Sequence, residues 1–205
     1  NQLNATEIAT SSFGQTFNVT MLQMAAAYSS LVNGGNYYQP HVVSKIVNDE
    51  GATVKKIEPL LVKKTVSEET SRFIQETLYK TVEEGTARPA QVPGYAIGGK
   101  TGTAEKWPRD LGTYLVSFIG HVPAVNPKVV IYITIDEPQN VARQDDSSIA
   151  TKLASKIMAE ILPALGIYPE GDIDYLLDDE NEHQGEEGNT SAGGSSNTHG
   201  DTDST

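Results

Sequence analysis

The apolar pattern of the first half of the chain predicts two helices separated by a hairpin. The first helix begins with a capping box at Thr20 and carries apolar residues around most of its surface, as in a buried helix. The second helix begins at Ser67 and ends at Gly85. Its apolar positions recur at helical spacing and are Phe73, Ile74, Leu78 and Val82. Between the helices, the β-rich residues 41–47 and 53–57 flank a polar turn, which predicts a surface hairpin.

The second half of the chain has three β-rich runs followed by a helix. The runs cover residues 95–107, 112–122 and 128–136. The links between them are far shorter than the dozen or so residues that a parallel crossover needs, so an antiparallel meander is expected. A last helix opens after Asp145, Asp146 and Ser147, and its apolar stripe from Ile149 to Leu162 predicts packing across the meander. The expected fold class is α+β, an antiparallel three-strand C-terminal sheet flanked by helices.

Charge separates the chain into two parts. Residues 169–205 contain 11 of the 27 acidic residues and no Lys or Arg, whereas the preceding part has 16 acids and 15 bases. The acidic part cannot bury enough apolar surface to offset the entropy of ordering, which predicts a disordered acidic tail. We therefore divide the chain into a domain over residues 1–168 and a tail over residues 169–205. Neither part has the clustered basic excess of a nucleic-acid-binding protein, so no nucleic-acid partner is expected.

The sequence lacks several features that would indicate particular sites or a membrane span. There is no cysteine, which excludes a disulfide scaffold, thiolate zinc sites and a cysteine nucleophile. There is also no run of about 18 apolar residues that would predict a membrane span. No ligand spacing relates the histidines, which are His41, His121, His183 and His199. Neither a metal nor another cofactor is expected.

The stretch around Lys100 is the most informative motif, and two chemistries compete for it. Gly94 and residues 99–101 satisfy the G-x-x-x-x-G-K-[ST] pattern of a phosphate loop, with Asp136 in the position of the acidic partner that helps to hold magnesium. A phosphate loop, however, follows a buried strand and opens a helix. The β-branched residues of this stretch and Pro108 oppose a helix. A nucleotide-binding module is therefore kept only as an alternative.

The competing interpretation is a Lys-Thr-Gly strand, which supplies three groups for an anionic ligand. Lys100 provides a cation, Thr101 provides a hydroxyl for a carboxylate, and Gly102 lets a substrate backbone approach the strand closely. Thr103 faces the same side as Thr101, and its N–H is expected to point at a developing oxyanion. Trp107, just beyond the motif, is a candidate wall of the cleft.

Segments on both sides of this motif form a recognisable series. Before the motif they are Ser12-Phe13-Gly14-Gln15, Val19-Thr20, Leu22-Gln23, Asn33-Gly34-Gly35 and Gln39-Pro40-His41. From the motif onward they are Gly98 to Lys106, Ser117-Phe118-Ile119-Gly120, Pro123-Ala124, Asn126-Pro127-Lys128 and Ile135-Asp136-Glu137-Pro138. Together they resemble the C-terminal half of a class B penicillin-binding protein transpeptidase domain, over Ser12 to about Leu165. Thr16 and Met21 depart from the family pattern, where Gly and Pro are expected.

The resemblance implies a β-lactamase/transpeptidase-like fold and a serine-type D,D-transpeptidase, which cross-links peptidoglycan by acyl transfer from D-Ala-D-Ala stem peptides. It implies that Lys100, Thr101, Gly102, Thr103 and Trp107 bind substrate, with Lys100 and the Thr103 N–H also acting in catalysis. The family's Ser-x-x-Lys and Ser-x-Asn motifs precede the matching region, and neither is found here. The nucleophile is therefore expected outside this chain, and the chain alone is expected to be inactive.

The resemblance also implies partners and a location. The expected partners are peptidoglycan stem peptides, β-lactams, the N-terminal half of the same domain and other cell-wall synthesis proteins. The expected location is the extracytoplasmic face of the bacterial cell membrane, with an N-terminal anchor that is absent from this chain. The alternative within the same fold is a non-catalytic penicillin-sensing or scaffold domain, which would differ only in the residues upstream.

Overall fold

The computed structural model of the chain describes residues 4–15 and 17–169. The α-helices are Ala5–Ser11 (α1), Met21–Val32 (α2), Glu68–Glu83 (α3) and Ser148–Ala164 (α4). The strands are Asn36–Tyr38 (β1), Lys45–Val47 (β2), Thr53–Lys56 (β3), Leu61–Lys64 (β4), Gly98–Glu105 (β5), Tyr114–Val122 (β6) and Val129–Asp136 (β7). Two 3₁₀ turns cover Arg88–Ala90 and Arg109–Leu111. The predicted tail lies outside the described residues and stays a prediction.

The predicted meander is confirmed as a three-stranded antiparallel sheet in the order β5-β6-β7. Its register pairs Lys100 with Ile119, and Ile119 in turn with Tyr132. The first strand starts at Gly98 rather than at Tyr95, because an isolated bridge between Val92 and Tyr95 closes a tight turn there. The α+β class is therefore correct, and the sheet begins directly at the motif.

The hydrophobic core lies on one face of this sheet, between it and helices α3 and α4. Phe118 on β6 and Met158 on α4 are completely buried there, and Val82 joins them from α3. The short turn at Arg88–Ala90 closes the core between the two helices through Ala87 and Ala90. Burial of these side chains is the main stabilising contribution to the sheet-and-helix unit that carries the motif.

Helix α3 confirms its predicted bounds, and its predicted apolar face is confirmed in part, because Val82 is completely buried and Ile74 and Leu78 are half-buried. Phe73 is 67% exposed, and the buried residues are Ser71, Gln75, Tyr79 and Val82. The polar residues are buried because α3 crosses the end of α2, whose last carbonyls have no partners within their own helix. The Ser71 hydroxyl donates to the Leu31 carbonyl at 2.7 Å, and the Gln75 amide donates to that of Val32 at 2.6 Å.

The remaining predictions on the first half are confirmed in part. The capping box of α2 is present, with Gln23 as the partner of Thr20, but Met21 and Leu22 are exposed rather than buried. The hairpin exists as β2 and β3, and every residue of both strands is exposed, as predicted for a surface ribbon.

Two features of the first half had no sequence prediction. One is α1, which is capped reciprocally by Asn4 and Glu7. The other is the pairing of β1 with β4, whose strands lie on either side of the hairpin. Strands so far apart in sequence give no local turn signal, so only the folded chain reveals that they pair. Among the described residues, no helix combines the length and apolar character that crossing a membrane requires.

Candidate functional site

The candidate site is the edge strand β5, which carries the Lys-Thr-Gly motif. All eight residues of β5 pair with β6, and no strand of the described residues pairs with its other side. An edge strand presents unpaired N–H and C=O groups, which are a template for pairing with another extended chain. The motif therefore lies where a peptide ligand can add to the sheet.

The two faces of β5 divide the motif residues into pairs. Residues two apart in a strand point the same way, so Lys100 and Gly102 share one face while Thr101 and Thr103 share the other. A Cβ on Gly102 would lie 2.6 Å from the Ser117 hydroxyl of β6. Lys100 is exposed, and its ammonium group donates to the Thr101 carbonyl at 2.9 Å.

The two threonine hydroxyls contact elements that are distant in sequence. The Thr101 hydroxyl lies 3.2 Å from that of Thr86, which follows α3. The Thr103 hydroxyl donates to the backbone carbonyl of Asp145, in the loop before α4, at 3.4 Å. The Thr101 hydroxyl also accepts from the Lys100 ammonium at 3.5 Å, so a cation already stands beside it. These contacts are long, and an anionic ligand can replace them with shorter, charge-assisted hydrogen bonds. The sequence carries no local signal for Thr86 or Asp145 as neighbours of the motif, because only folding brings these loops to β5.

The loop before α4 is itself held by a charged pair. The Arg143 guanidinium donates two hydrogen bonds to the Asp145 carboxylate, at 3.0 Å from Nε and 2.6 Å from Nη2. This pairing holds the pKa of Asp145 below its ordinary value. The N-cap residue of α4 is Ser147, whose side chain makes no capping hydrogen bond. Asp146, which precedes it, accepts from the N–H and the hydroxyl of Ser148, the first helical residue, both at 2.9 Å.

The far end of β5 is fastened by Lys106. Its ammonium group lies 2.9 Å from the Asp136 carboxylate and 2.6 Å from that of Glu137, both at the end of β7. Hydrogen bonds to these two carboxylates raise the pKa of Lys106 above its ordinary value. Trp107 follows directly and is 86% exposed, so it stands at the end of the strand with its ring in solvent.

A buried histidine supports the beginning of β5. His121 is fully buried, with Nε2 3.0 Å from the Ala124 carbonyl and Nδ1 2.7 Å from the Tyr28 hydroxyl. A carbonyl can only accept, so Nε2 carries the proton and Nδ1 accepts from Tyr28. Burial lowers the pKa of His121 to about 4 and raises that of Tyr28. His121 is therefore a neutral ring with both nitrogens hydrogen-bonded.

Glycines are required where β5 passes over this support. A Cβ on Gly98 would collide with the His121 ring, and one on Gly99 would lie 2.5 Å from Cζ of Phe118. The two glycines before Lys100 therefore let the strand lie directly on packed rings from β6. Sequence reading had assigned these glycines to either a phosphate loop or a strand, and the packing explains them as strand residues.

The phosphate-loop interpretation is wrong in its structural context. The glycine-rich stretch is a strand that continues to Glu105, and the only helical residues described between it and β6 are the single 3₁₀ turn Arg109–Leu111. Asp136, the proposed acidic partner, is instead paired with Lys106. The described residues also contain no group of three or more His, Asp or Glu side chains placed to hold a metal ion.

Comparison with known proteins assigns the family. The model of the penicillin-binding protein transpeptidase domain matches residues 1–159 of the chain. The chain belongs to the penicillin-binding protein transpeptidase family. The resemblance of the motif-bearing segments to this family is thereby confirmed.

Relatives of this transpeptidase-family chain come from several bacteria. Stage V sporulation protein D of Bacillus subtilis (strain 168) is 43% identical over 169 residues, which cover 80% of this chain and 26% of the relative. The probable peptidoglycan D,D-transpeptidase PenA of Neisseria gonorrhoeae is 32% identical over 167 residues, again 80% of this chain and 27% of the relative. The chain thus spans about a quarter of the length of these curated relatives.

Solved structures confirm the fold of this transpeptidase-family chain. The transpeptidase domain of penicillin-binding protein 3 from Burkholderia pseudomallei matches with a TM-score of 0.69 at 30% identity, over 83% of this chain and 50% of that one. Penicillin-binding protein 3 from Mycobacterium tuberculosis, complexed with ampicillin, matches with a TM-score of 0.66 at 27% identity, over 78% of this chain and 38% of that one.

Proposed function

We propose that this chain is the C-terminal part of a D,D-transpeptidase domain that cross-links peptidoglycan by acyl transfer. The observation that carries the proposal is the edge strand β5, which presents Lys100 to Thr103 beside an unpaired strand edge. Family membership supplies the chemical class, because relatives are named peptidoglycan D,D-transpeptidases. The serine nucleophile comes from residues outside this chain, so the chain alone is inactive.

In this mechanism, the donor stem peptide adds to the free edge of β5 by backbone hydrogen bonds. Its terminal carboxylate lies against the hydroxyls of Thr101 and Thr103 and against the Lys100 ammonium, which bends from the other face of the strand to within 3.5 Å of the Thr101 hydroxyl. Gly102 carries no side chain, so the donor backbone can approach closely. Trp107 borders the end of the groove. No described carboxylate pairs with Lys100, which keeps its charge available for the ligand.

The reaction then proceeds in two acyl transfers. The serine oxygen attacks the carbonyl carbon between the two D-Ala residues, the peptide bond breaks, and the terminal D-Ala leaves with the transferred proton on its amine. The Thr103 N–H donates to the oxyanion that forms at the carbonyl oxygen. The amine of a second stem peptide attacks the acyl-serine, forms the cross-link and releases the serine hydroxyl. β-Lactams occupy the same groove in this proposal, which is supported by the fact that the Mycobacterium tuberculosis neighbour was solved in complex with ampicillin.

The proposal also assigns partners and a location. The first half of the transpeptidase domain packs against the exposed apolar side chains that precede and open α2, which include Phe13, Phe17, Met21 and Leu22. A structural neighbour of which the chain covers 50% supports a second half of comparable size. The complete protein acts at the extracytoplasmic face of the cell membrane, held there by an anchor outside this chain and joined by other cell-wall synthesis proteins.

The test is covalent labelling of the full-length protein with a fluorescent penicillin. We expect stable labelling of the wild type and a loss of about tenfold to a hundredfold in labelling rate for Lys100→Ala, since a hydrogen bond to a charged group contributes about 1.5–3 kcal/mol. Lys55→Ala, on the exposed ribbon, is the matched control and should label like the wild type.

The outcomes separate the enzyme from the non-catalytic alternative. A folded full-length protein that takes up no penicillin would overturn the catalytic proposal and favour a scaffold domain. A labelling rate that falls equally in Lys100→Ala and Lys55→Ala would contradict the placement of Lys100 in the groove. Retention of labelling in Lys100→Ala would overturn its role as the carboxylate-binding cation.

A further inference from the structure

A second concave surface lies beside α4, next to the loop whose Asp145 carbonyl contacts Thr103 of β5. It encloses about 430 Å³ between one face of α4 and the loop that precedes the helix. The helix face is the stripe Ile149, Lys152, Leu153 and Lys156, which recur at the three- and four-residue spacing of one helical side. The loop wall includes Val141 and Arg143. We call this surface the α4 groove.

The α4 groove is positively charged in a part of the chain that is otherwise nearly neutral. Lys152 and Lys156 are exposed and form no ion pair within the described residues. The acidic residue of its lining is Asp146, whose carboxylate is occupied by the N–H and hydroxyl of Ser148. The charges of Lys152 and Arg143 also contribute to the lowered pKa of Asp146, whose largest cause is the hydrogen bonds from Ser148. The groove therefore combines two exposed ammonium groups, one of them near this carboxylate, with an aliphatic strip.

The same groove is connected to the motif strand by two contacts in series. Arg143, in the groove wall, donates two hydrogen bonds to the Asp145 carboxylate as a bidentate pair. The backbone carbonyl of Asp145 accepts from the Thr103 hydroxyl at 3.4 Å. A change in the Arg143–Asp145 pair therefore moves the acceptor that holds a hydroxyl of the motif.

We infer that the α4 groove docks an acidic peptide segment with aliphatic side chains, and that its occupancy is communicated to Thr103 through Arg143 and Asp145. Carboxylates of the segment pair with Lys152 and Lys156, and its aliphatic side chains cover Ile149 and Leu153. A further carboxylate competes with Asp145 for Arg143. The docking stands on charge and shape alone, whereas its effect on labelling rests on the proposed function.

The docking is tested with a defined probe on the full-length protein. The probe is a fluorescein-labelled ten-residue peptide of alternating aspartate and leucine, and binding is followed by fluorescence anisotropy. We expect saturable binding that weakens about tenfold or more in the variant with Lys152→Glu and Lys156→Glu. A peptide of alternating lysine and leucine should not bind. The matched control reverses two other exposed lysines, Lys55→Glu and Lys56→Glu, and should retain wild-type affinity.

Each outcome of the binding assay decides the docking. Absence of saturable binding, or an equal loss in the groove and control variants, would overturn it, because the attraction would then be absent or non-specific. This readout needs no nucleophile, so it stands even when the protein fails to label with penicillin.

The coupling is tested by repeating the penicillin labelling with saturating acidic peptide. We expect the labelling rate to change at least about twofold in the wild type, the size of a weak allosteric coupling. Arg143→Lys retains the charge but not the two-pronged geometry. We expect this variant to bind the peptide and to show no change in labelling. Peptide binding that leaves wild-type labelling unaltered would overturn the coupling, as would an Arg143→Lys variant that responds like the wild type.

Discussion

The meander and the ribbon are both built from β-branched strands, yet their side chains have opposite environments. On β6, Val116 and Phe118 are completely buried under α3 and α4. On the ribbon, Val54 is 67% exposed, and Val42, which precedes β2, is 99% exposed. The β-branched and aromatic composition of a strand predicts the strand itself, but it does not predict what covers it. Helices α3 and α4 of this chain cover the meander, whereas no described element packs over the ribbon.

The difference has a consequence for the site. The meander places the motif on a strand whose first two residues, Gly98 and Gly99, are packed on opposite faces by His121 and Phe118 of β6. A binding strand that is packed in this way is held in one position before any ligand arrives, which lowers the cost of ordering on binding. The ribbon has no such support and its residues contribute little to the packed core.

The largest expected effect comes from removing equivalent rings from the two kinds of environment. Phe118→Ala should lower the free energy of unfolding of the chain by about 3–5 kcal/mol, because it leaves a cavity in the core. Phe73→Ala is the matched control, since this ring is 67% exposed, and should change it by less than about 0.5 kcal/mol. Urea unfolding followed by circular dichroism measures both. An equal loss of unfolding free energy in the two variants would show that burial does not distinguish the two rings.

A second, pH-dependent effect is expected from His121. Its pKa is about 4 in the folded chain and 6.5 ordinarily, because burial disfavours the charged ring. Above pH 6.5 the ring is neutral in both states and the full stability is present. As the pH falls toward 4, the imidazole binds a proton in the unfolded chain but not in the folded chain. The free energy of unfolding therefore falls by up to about 3 kcal/mol.

The measurement is the pH dependence of unfolding for the wild type and for His121→Phe, which cannot titrate. The variant should lose stability less steeply between pH 6.5 and pH 4, although it starts from a lower value because Tyr28 and Ala124 lose their partner. His41, which is exposed near the ribbon, provides the control position. Parallel pH profiles for the wild type and His121→Phe would contradict the neutral, buried ring.

The smallest expected effect compares one ion pair from each region. Lys106 bridges Asp136 and Glu137 at the end of the meander, whereas Lys56 meets Glu58 with both side chains about 70% exposed. Lys106→Met should lower the free energy of unfolding measurably, because two carboxylates lose their cation, and Lys56→Met should leave it nearly unchanged. Both variants should be compared at low and at high salt. A cost for Lys56→Met that equals that of Lys106→Met would contradict the distinction.

Local signals in the sequence determined most of the elements and the strand that bears the motif. Thr20 and Ser67 begin helices because their side chains satisfy the free N–H groups of the first turn, and this depends on neighbouring residues alone. The meander follows from links that are too short for any other connection. The Lys-Thr-Gly strand and its family could be identified for the same reason, since the motif is contiguous.

Only the tertiary structure decided which residues surround that strand. Thr86 and Asp145 contact the motif threonines from loops far away in sequence, and Tyr28 bonds to His121 across 93 positions. On α3, likewise, Phe73 of the apolar pattern is exposed, whereas Ser71 is buried because its hydroxyl bonds to the end of α2. Such contacts depend on how whole elements pack against one another. The spacing of residues along one element does not show which residues of another element they will contact.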